Sequence, residues 1–547
     1  MIVLRSLVAA TFALHAFSAD VPTVETAYTI FQGTPSTEPG VQFFGGIRYA
    51  QPPLGDLRWR APQALDESPP ARGVAKNVTD ASAYGNICLQ QPGTLDWNGQ
   101  SDDCLFLNVF KPEAAKKGSK LPVVLYIHGG GNYGASARAF PLDKWVRVSN
   151  GTVVGVNIQY RLGLLGFLSS HMVLEAGLAN AGLHDQRAAL QWVHRNIAAF
   201  GGDPNHITVS GESAGGGDIV YHLTAYGGTK PPLFQAAIPQ SIGTDPVLTP
   251  DVYEVCFQAV LNSTGCNTTL DDSAATMACL RSLPLSALVT AVNTKPSTCK
   301  YTPIIDGPDG LIPAHASTLL REGRFLRMPV MPGSTTDDGA GFAGNPSGIV
   351  NTTEGFIANL RKRYVTLSDA SAARMVELYP ADKFNSTWSR AAAAWGDTIF
   401  TCQDWFIADK VRSLGERRAF TYRWATPDPV RLAASSWAGA MHTSDLFFLS
   451  GPDATHAVTK FNPLNDTETA LAEEAMGYWT SFARAFNPST HRLSTAPAWP
   501  ALGSQSLRMV IDEGDTLENT DSHVEQITED HKERCRFWNE IGPEIGL

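Results

Sequence analysis

The chain has 547 residues, of which 43% are hydrophobic and 17% charged, with a formal net charge of −11. This composition is that of a globular protein with a large core, and it excludes a collagen-like or largely disordered chain. The negative charge repels phosphate backbones, so nucleic acid is not expected as a partner. Acidity also keeps a protein soluble, and we prefer that interpretation to one in which it attracts cationic substrates.

The first 19 residues have the pattern of a secretory signal peptide. Arg5 precedes an apolar run from Leu7 to Phe17 that leads into Ala19. The run is shorter than the roughly 20 apolar residues needed to span a bilayer, so a membrane anchor is the less favoured interpretation. We expect residues 1–19 to be removed and the mature protein to be secreted, with no stable insertion into a membrane.

Two further features agree with export. Eight cysteines, an even number, suit disulfide formation in an oxidising compartment. The sequence also contains seven acceptor patterns for N-glycosylation, Asn-x-Ser/Thr. They begin at Asn77, Asn150, Asn262, Asn267, Asn351, Asn385 and Asn465.

The first half of the chain alternates β-rich apolar runs with helical patterns, which is typical of a mostly parallel sheet with crossover helices. Apolar residues recur at helical spacing over Asp185–Phe200, and residues 245–325 and 350–415 are mainly helical insertions. No linker or repeat interrupts residues 20–547, which are expected to form one α/β domain. Strands are predicted at Val123–Ile127, Val153–Ile158, Ile207–Val209, Ala236–Pro239, Met328–Met331 and Phe420–Trp424.

The sharpest motif is G-E-S-A-G at residues 211–215, which follows the predicted strand Ile207–Val209 and precedes a helix-compatible stretch. It has the G-x-S-x-G pattern of a nucleophile elbow, with Ser213 at the apex. A strand that turns directly into a helix strains the apical residue, so its neighbours are small and its hydroxyl projects from the sheet. The pattern alone is weak, but the strand before it and the helix after it indicate a catalytic serine.

A second motif, H-G-G-G at residues 128–131, ends the predicted strand Val123–Ile127. Peptide N–H groups in such a turn can stabilise the negative charge that develops on a carbonyl oxygen during acyl transfer. A glycine-rich turn usually has no catalytic role. Here it precedes the serine motif in the order that α/β-hydrolases use, which favours an oxyanion hole.

A serine nucleophile requires a base and an acid that orients the base, in the order Ser, acid, His for this type of sheet. For the acid, Asp337 and Asp338 follow the predicted strand Met328–Met331 in a turn-rich loop, at the sheet edge where the serine is expected. The residues alone do not choose between the two aspartates, nor among the histidines. The candidate bases are His442, His456, His491, His523 and His531.

Together these motifs resemble the type-B carboxylesterase/lipase family, which includes cholinesterases and fungal lipases, over roughly Phe43 to Trp538. The resemblance implies an α/β-hydrolase fold, with a large, mostly parallel central sheet flanked by helices and helical insertions. It implies a serine esterase that forms an acyl-enzyme and needs no metal or cofactor. Further matching segments lie at residues 44–55, 103–109, 157–169, 201–215 and 535–539.

The resemblance also assigns the base and the acid. The family's Gly-x-x-His-x-x-Asp/Glu context falls on residues 439–445, which makes His442 the base. The family's acid is the middle residue of a triplet that matches residues 337–339, which makes Asp338 the acid and Asp337 a structural neighbour. Aspartate stands here where many relatives have glutamate, so the acid has a shorter reach to the base.

Around the serine, the resemblance places the oxyanion hole on the N–H groups of Gly130, Gly131 and Ala214. Asn132 stands where the family commonly has an aromatic residue, so we expect it near the pocket with an influence on acyl-group preference. Trp97 resembles in position the tryptophan with which cholinesterases stack a quaternary ammonium. Its spacing to the next cysteine differs, and a role at the pocket rim or in packing is preferred.

The disulfide pairs that the resemblance implies are Cys88–Cys104, Cys266–Cys279 and Cys402–Cys535, which leaves Cys256–Cys299 as the fourth. The first pair closes a loop of 15 residues, shorter than the lids of lipase-like relatives. A short lid favours soluble small-molecule esters over lipid droplets.

Two other functions are alternatives to this esterase. One is a lipase or sterol esterase, which would take long-chain lipid esters. The other is a non-catalytic binding or adhesion protein, since some relatives keep the fold and lose the nucleophile. All three candidate catalytic positions are intact, which argues against the binding protein. The sequence gives no expectation for the oligomeric state.

Overall fold

The computed structural model describes residues 21–91, 99–268, 271–294, 299–451, 464–516 and 520–547. The predicted signal peptide at residues 1–19 lies outside these ranges. Within them, sixteen strands form three sheets. In chain order the strands are β1 (Thr23–Glu25), β2 (Thr29–Gln32), β3 (Thr34–Pro35), β4 (Val41–Arg48), β5 (Asn77–Asp80), β6 (Ile87–Cys88), β7 (Gln100–Ser101), β8 (Phe106–Pro112), β9 (Leu121–Ile127), β10 (Val154–Ile158), β11 (Gly202–Glu212), β12 (Ala236–Gln240), β13 (Gly333–Thr335), β14 (Tyr422–Trp424), β15 (Leu507–Ile511) and β16 (His523–Gln526).

The central sheet has eleven strands among the described residues, in the order β16-β15-β14-β13-β12-β11-β9-β10-β8-β4-β3. The strands from β15 to β10 in that order run parallel, and the edge strands are antiparallel. The predicted α/β class with a mostly parallel sheet is confirmed. The carboxyl ends of the parallel strands share one edge, where ligand sites of open α/β sheets are found.

Apolar side chains cover both faces of this sheet. In β9, Val123, Leu125 and Ile127 belong to one buried cluster, whereas Val124 and Tyr126 belong to another. Successive side chains of a strand point to opposite faces, so the two clusters lie on the two sides of the sheet. Because β9 is buried on both faces, its sequence is a continuous apolar run and does not alternate with polar residues.

Helices flank the sheet and fill the insertions, and the two stretches predicted to be mainly helical are so. The α-helices of the described residues are Asp143–Val148, Gly163–Phe167, His171–Ala176, Ala181–Asn196, Ala214–Thr224, Pro250–Thr264, Ser273–Ser282, Leu285–Thr294, Ala316–Glu322, Ala340–Ala343, Thr353–Arg361, Asp369–Leu378, Thr387–Gly396, Cys402–Ser413, Pro429–Ala434, Ser444–Leu449, Asp466–Ala485, Glu529–Glu540 and Gly542–Ile545. A π-helical turn spans Asp397–Thr401, and 3₁₀ turns span Gly55–Leu57, Ala137–Ala139, Ile197–Phe200, Ala225–Gly228, Pro346–Gly348 and Ala381–Lys383.

One predicted strand is displaced. Of Met328–Met331, only Val330 pairs, through isolated bridges to the neighbouring segments, and the regular strand β13 begins at Gly333. Pro329 and Pro332 have no N–H to donate, so a continuous ladder cannot form over this stretch.

Four disulfides link the described residues, and their pairs are those that the resemblance implies. They are Cys88–Cys104, Cys256–Cys299, Cys266–Cys279 and Cys402–Cys535. The last spans 133 positions and joins helix Cys402–Ser413 to helix Glu529–Glu540 near the end of the chain.

In the described residues, no individual helix combines the length and apolarity that crossing a membrane requires. The helices Ser273–Ser282 and Leu285–Thr294 meet that requirement only as a pair, bent by 108°.

Candidate active site

Ser213 lies at a sharp turn between β11 and helix Ala214–Thr224. Its backbone angles are φ 58° and ψ −124°, a strained conformation for a residue with a side chain. The turn also brings Gly215 against β9, where a Cβ atom would overlap the carbonyl oxygen of Ile127. Glycine at this position is therefore a steric requirement of the elbow, and the hydroxyl of Ser213 projects beyond the strand.

The imidazole of His442 bridges the serine and an aspartate. Its Nε2 lies 2.9 Å from Ser213 Oγ, and its Nδ1 lies 2.7 Å from Asp338 Oδ1. A carboxylate only accepts hydrogen bonds, so Nδ1–H donates to Asp338 and Nε2 accepts from the serine hydroxyl. The arrangement matches the geometry of a Ser-His-Asp triad, and in this tautomer Nε2 is free to accept a proton from the serine hydroxyl.

Asp338 is fixed by the strand that precedes it. It is 1% exposed, and Oδ2 accepts hydrogen bonds from the Ser241 hydroxyl at 2.8 Å and the Thr335 N–H at 2.9 Å. The shorter aspartate side chain therefore reaches the base without further movement.

The neighbouring Asp337 is exposed. Its backbone N–H donates to the Ala440 carbonyl, and its carboxylate accepts from the Ala440 N–H at 3.0 Å. Asp337 thus holds the segment just before His442 beside the acid loop, which is a positioning role.

The other candidate bases lie elsewhere. His491 and His523 are exposed, and His531 lies against the Cys402–Cys535 disulfide, with Nε2 3.5 Å from a sulfur. His456 lies outside the described residues. Among the described candidates, His442 is therefore the one that contacts the serine.

Two aromatic rings pack on the imidazole. Phe400, in the π-helical turn, stacks on His442 at a centroid distance of 4.4 Å, and Phe342 meets it edge-on at 5.5 Å. These rings exclude water from the base and restrict its rotation.

Sequence reasoning missed the buried carboxylate next to the serine. Glu212 is 2% exposed, and its Oε1 lies 3.3 Å from His442 Nε2. Burial raises the pKa of Glu212, and the attraction of His442 acts against that rise. Burial by itself would lower the pKa of His442, but the carboxylates of Glu212 and Asp338 raise it. The charge of the imidazolium therefore has two acidic partners.

The glycine loop lies beside the serine. Gly130 and Gly131 have φ of 92° and 65°, which favour glycine, and a Cβ on Gly129 would lie 2.9 Å from the Ser213 Cβ. Within the described ranges, the N–H groups of Gly130, Gly131 and Ala214 have no acceptor. Ala214 also begins a helix, whose N-terminus attracts negative charge.

Asn132 lines the cavity that opens above Ser213, and its side chain is buried. Its amide Nδ2 donates to Asp218 Oδ1 at 3.2 Å, and its Oδ1 accepts from the Tyr160 hydroxyl at 3.2 Å. Burial raises the pKa of Asp218 to about 7. Sequence reasoning missed this buried aspartate, because only the fold brings it to Asn132. Trp97, predicted near the pocket, lies outside the described residues.

A cavity of about 610 Å³ opens above Ser213 and His442. Its lining includes an apolar group of side chains, here called the apolar wall, and a group of charged side chains. The apolar wall consists of Phe342, Trp395, Ile399 and Phe400. A volume of this size is in the range of small-molecule sites.

One cluster with metal-ligand chemistry occurs among the described residues, and it lies outside the cavity. Ligand atoms of Cys402, His531 and Cys535 fall within 4.8 Å of one another. Both sulfurs are joined as a disulfide, so neither offers the thiolate that binds metal.

Comparison with known proteins agrees with this geometry. A model of the carboxylesterase family matches residues 20–538. The chain is 28% identical to secreted lipase 4 of Gibberella zeae over 522 residues, which cover 90% of this chain and 87% of the relative. It is 32% identical to para-nitrobenzyl esterase of Bacillus subtilis over 510 residues, which cover 91% and 96%.

Among solved structures, the Aspergillus niger protein EstA superposes with a TM-score of 0.84 at 32% identity, over 96% of this chain and 99% of that one. The predicted resemblance and α/β-hydrolase fold are confirmed. The chain belongs to the carboxylesterase family, and it is a carboxylic ester hydrolase.

Proposed function

We propose that Ser213 is the nucleophile of a secreted esterase, with His442 as its base and Asp338 as the acid. The observation that carries this proposal is the continuous line of hydrogen bonds from Asp338 through His442 to the serine hydroxyl. A serine hydroxyl is a weak nucleophile until such a base removes its proton.

In this mechanism His442 takes the serine proton as Ser213 attacks the ester carbonyl. The N–H groups of Gly130, Gly131 and Ala214 stabilise the oxyanion, and Asp338 and Glu212 stabilise the imidazolium. His442 then protonates the departing alcohol, which leaves an acyl-enzyme. Water, activated by the same base, repeats the sequence and releases the acid.

Labelling with a fluorophosphonate probe tests the nucleophile. The wild type should be labelled and Ser213→Ala should not, with turnover lowered on the order of 10⁶-fold. Ser481→Ala is the matched control, because that serine is buried in helix Asp466–Ala485, where its hydroxyl donates to the Asn487 carbonyl. Labelling that persists in Ser213→Ala would show that another residue is the nucleophile.

For the substrate, we propose small soluble esters rather than lipid droplets. The Cys88–Cys104 disulfide joins residues only 16 positions apart, which limits the lid. The second candidate is a lipase, favoured by the apolar wall and by relatives that are named lipases. A series of 4-nitrophenyl esters separates the two. Activity that peaks at long acyl chains and rises at an oil interface would establish the lipase.

Secretion is proposed on three grounds. Asparagines of all seven glycosylation patterns are exposed, four disulfides link the described residues, and relatives carry the word secreted in their names. Endoglycosidase treatment of protein from the culture medium should lower its apparent mass. Retention of the protein inside the producing cell, with residues 1–19 still attached, would contradict secretion.

A further inference from the structure

The charged wall of the catalytic cavity is basic. It contains Lys300, Lys362 and Arg363 and one acidic side chain, Asp245, among the described residues. The whole chain has a formal net charge of −11, so this local excess of cations runs against the composition of the protein. Such an excess in a partly enclosed cavity attracts anions.

Asp245 neutralises only part of this charge. Its carboxylate forms an ion pair with Arg363 at 3.0 Å and lies 3.4 Å from the Lys300 ammonium. Lys362 is exposed, and in the described part of the chain its ammonium forms no ion pair. Three cations therefore share one carboxylate, and a net positive charge remains for a ligand.

The basic wall is joined to the catalytic serine through short connections. An Arg363 terminal nitrogen donates to the Thr244 carbonyl at 2.7 Å. The adjacent Gly243 donates its N–H to the Ser213 carbonyl at 2.9 Å, and a Cβ at Gly243 would lie 3.2 Å from Ser213 Oγ. A substrate attacked by Ser213 thus lies beside this wall.

A second cavity also contains arginines, but each of these is paired with a carboxylate. Arg423 and Arg508 line that cavity and both pair with Glu525, at 2.9 Å and 2.6 Å, while Arg534 pairs with Asp397 at 2.7 Å. Their charge is satisfied within the fold. The basic wall beside Ser213 differs from them, because its three cations share one carboxylate, that of Asp245.

We propose that this wall binds a carboxylate on the substrate, so that the preferred substrates are anionic esters such as half-esters of dicarboxylic acids. The carboxylate contacts Lys362 and Arg363 while the apolar part of the ester packs on the apolar wall. The proposal rests on the proposed function, because it assumes that Ser213 attacks an ester bound in this cavity.

Two matched substrate pairs test it, with the carboxylate on either side of the scissile bond. The first pair is 4-nitrophenyl hydrogen adipate and its methyl ester, and the second is 4-acetoxybenzoate and its methyl ester. For at least one pair, the wild type should show kcat/KM about tenfold higher for the anion, and added NaCl should reduce that ratio.

The variant Lys300→Gln/Lys362→Gln should lower the anion-to-methyl-ester ratio about tenfold. The control Lys117→Gln/Lys383→Gln removes the same charge from exposed positions outside this cavity and should leave the ratio unchanged. Fluorophosphonate labelling of each variant shows that its active site is folded.

Turnover of the methyl esters with no preference for either anion overturns this proposal and leaves the proposed function standing. An anion preference that is equal in the two double variants also overturns it. Failure to cleave any of the four esters, together with absence of fluorophosphonate labelling, overturns the proposed function and this proposal with it.

Discussion

The catalytic centre and the walls of its cavity come from different parts of the chain. Ser213 directly follows β11, the glycine loop begins two residues after β9, and Asp338 lies three residues after β13. The apolar wall comes from helices at residues 340–400, and the basic wall from segments after β12 and from residues 362–363. The sheet therefore determines the chemistry, and the insertions determine which ester is cleaved.

This difference implies that substitutions in the two regions change different properties of the enzyme. A change in the centre lowers turnover of every ester, since the same atoms act on each. A change in a wall alters the ranking of esters, since each wall contacts only part of the substrate. Four measurements examine this distinction, three in the centre and one in a wall.

Of these four measurements, the largest loss of turnover is expected for the proposed acid, Asp338. Asp338→Asn should lower kcat about 10⁴-fold for all esters, because the amide no longer holds His442 in the required tautomer. Asp337→Asn is the matched control and should retain most of its turnover, because its side chain can still accept the Ala440 N–H. Steady-state kinetics with two unrelated esters measures both. A larger loss of kcat in Asp337→Asn than in Asp338→Asn would show that Asp337 is the acid.

The next effect concerns the glycine loop. A Cβ on Gly131 would overlap the ring of Tyr133, and its φ is 65°, so Gly131→Ala should displace the loop and lower kcat by about 10²–10³. In the same loop, Gly134→Ala meets nothing closer than 3.5 Å and should cost far less. Equal losses of kcat in the two variants would show that Gly131 has no special part in stabilising the oxyanion.

A smaller, substrate-dependent effect is expected in the apolar wall. Ile399→Ala enlarges the cavity, so kcat/KM should fall about tenfold for short acyl chains and the optimum should move to longer ones. Ile407→Ala, equally buried in the next helix and outside the cavity, should lose a similar stability of about 2–5 kcal/mol and keep the optimum. A shifted optimum in both variants would point to loosened packing.

The smallest effect is a change in pH dependence. The base acts in its neutral form, and facing carboxylates raise the pKa of His442, so the acid limb of kcat/KM lies above the usual histidine pKa of about 6.5. Glu212→Gln removes one carboxylate, so the limb should move to lower pH. Glu474→Gln, buried elsewhere, should not move it. An unmoved limb in Glu212→Gln would show that Glu212 does not raise this pKa and that Asp338 and Asp445 account for its rise.

Much of the centre could be predicted because it depends on local backbone geometry. The elbow at Ser213 and the turn at Gly130 impose residue types that are visible in the sequence. The resemblance supplied what spacing alone left open, the choice of His442 and of Asp338.

The rest depends on contacts between distant segments. Asn132 meets Asp218, and Arg363 meets Asp245, only when the insertions pack on the sheet. The displaced strand near Val330 shows the same limit, since apolar composition predicted pairing that two prolines prevent.

The Cys402–Cys535 disulfide gives the end of the chain a part in substrate binding. Cys402 directly follows the π-helical turn whose Phe400 stacks on His442, and Arg534 beside the other cysteine pairs with Asp397 of that turn. Closing so long a loop contributes on the order of 5 kcal/mol. We therefore expect catalytic competence to require the pairing of Cys402 with Cys535, because that bond anchors the turn whose Phe400 packs on the imidazole.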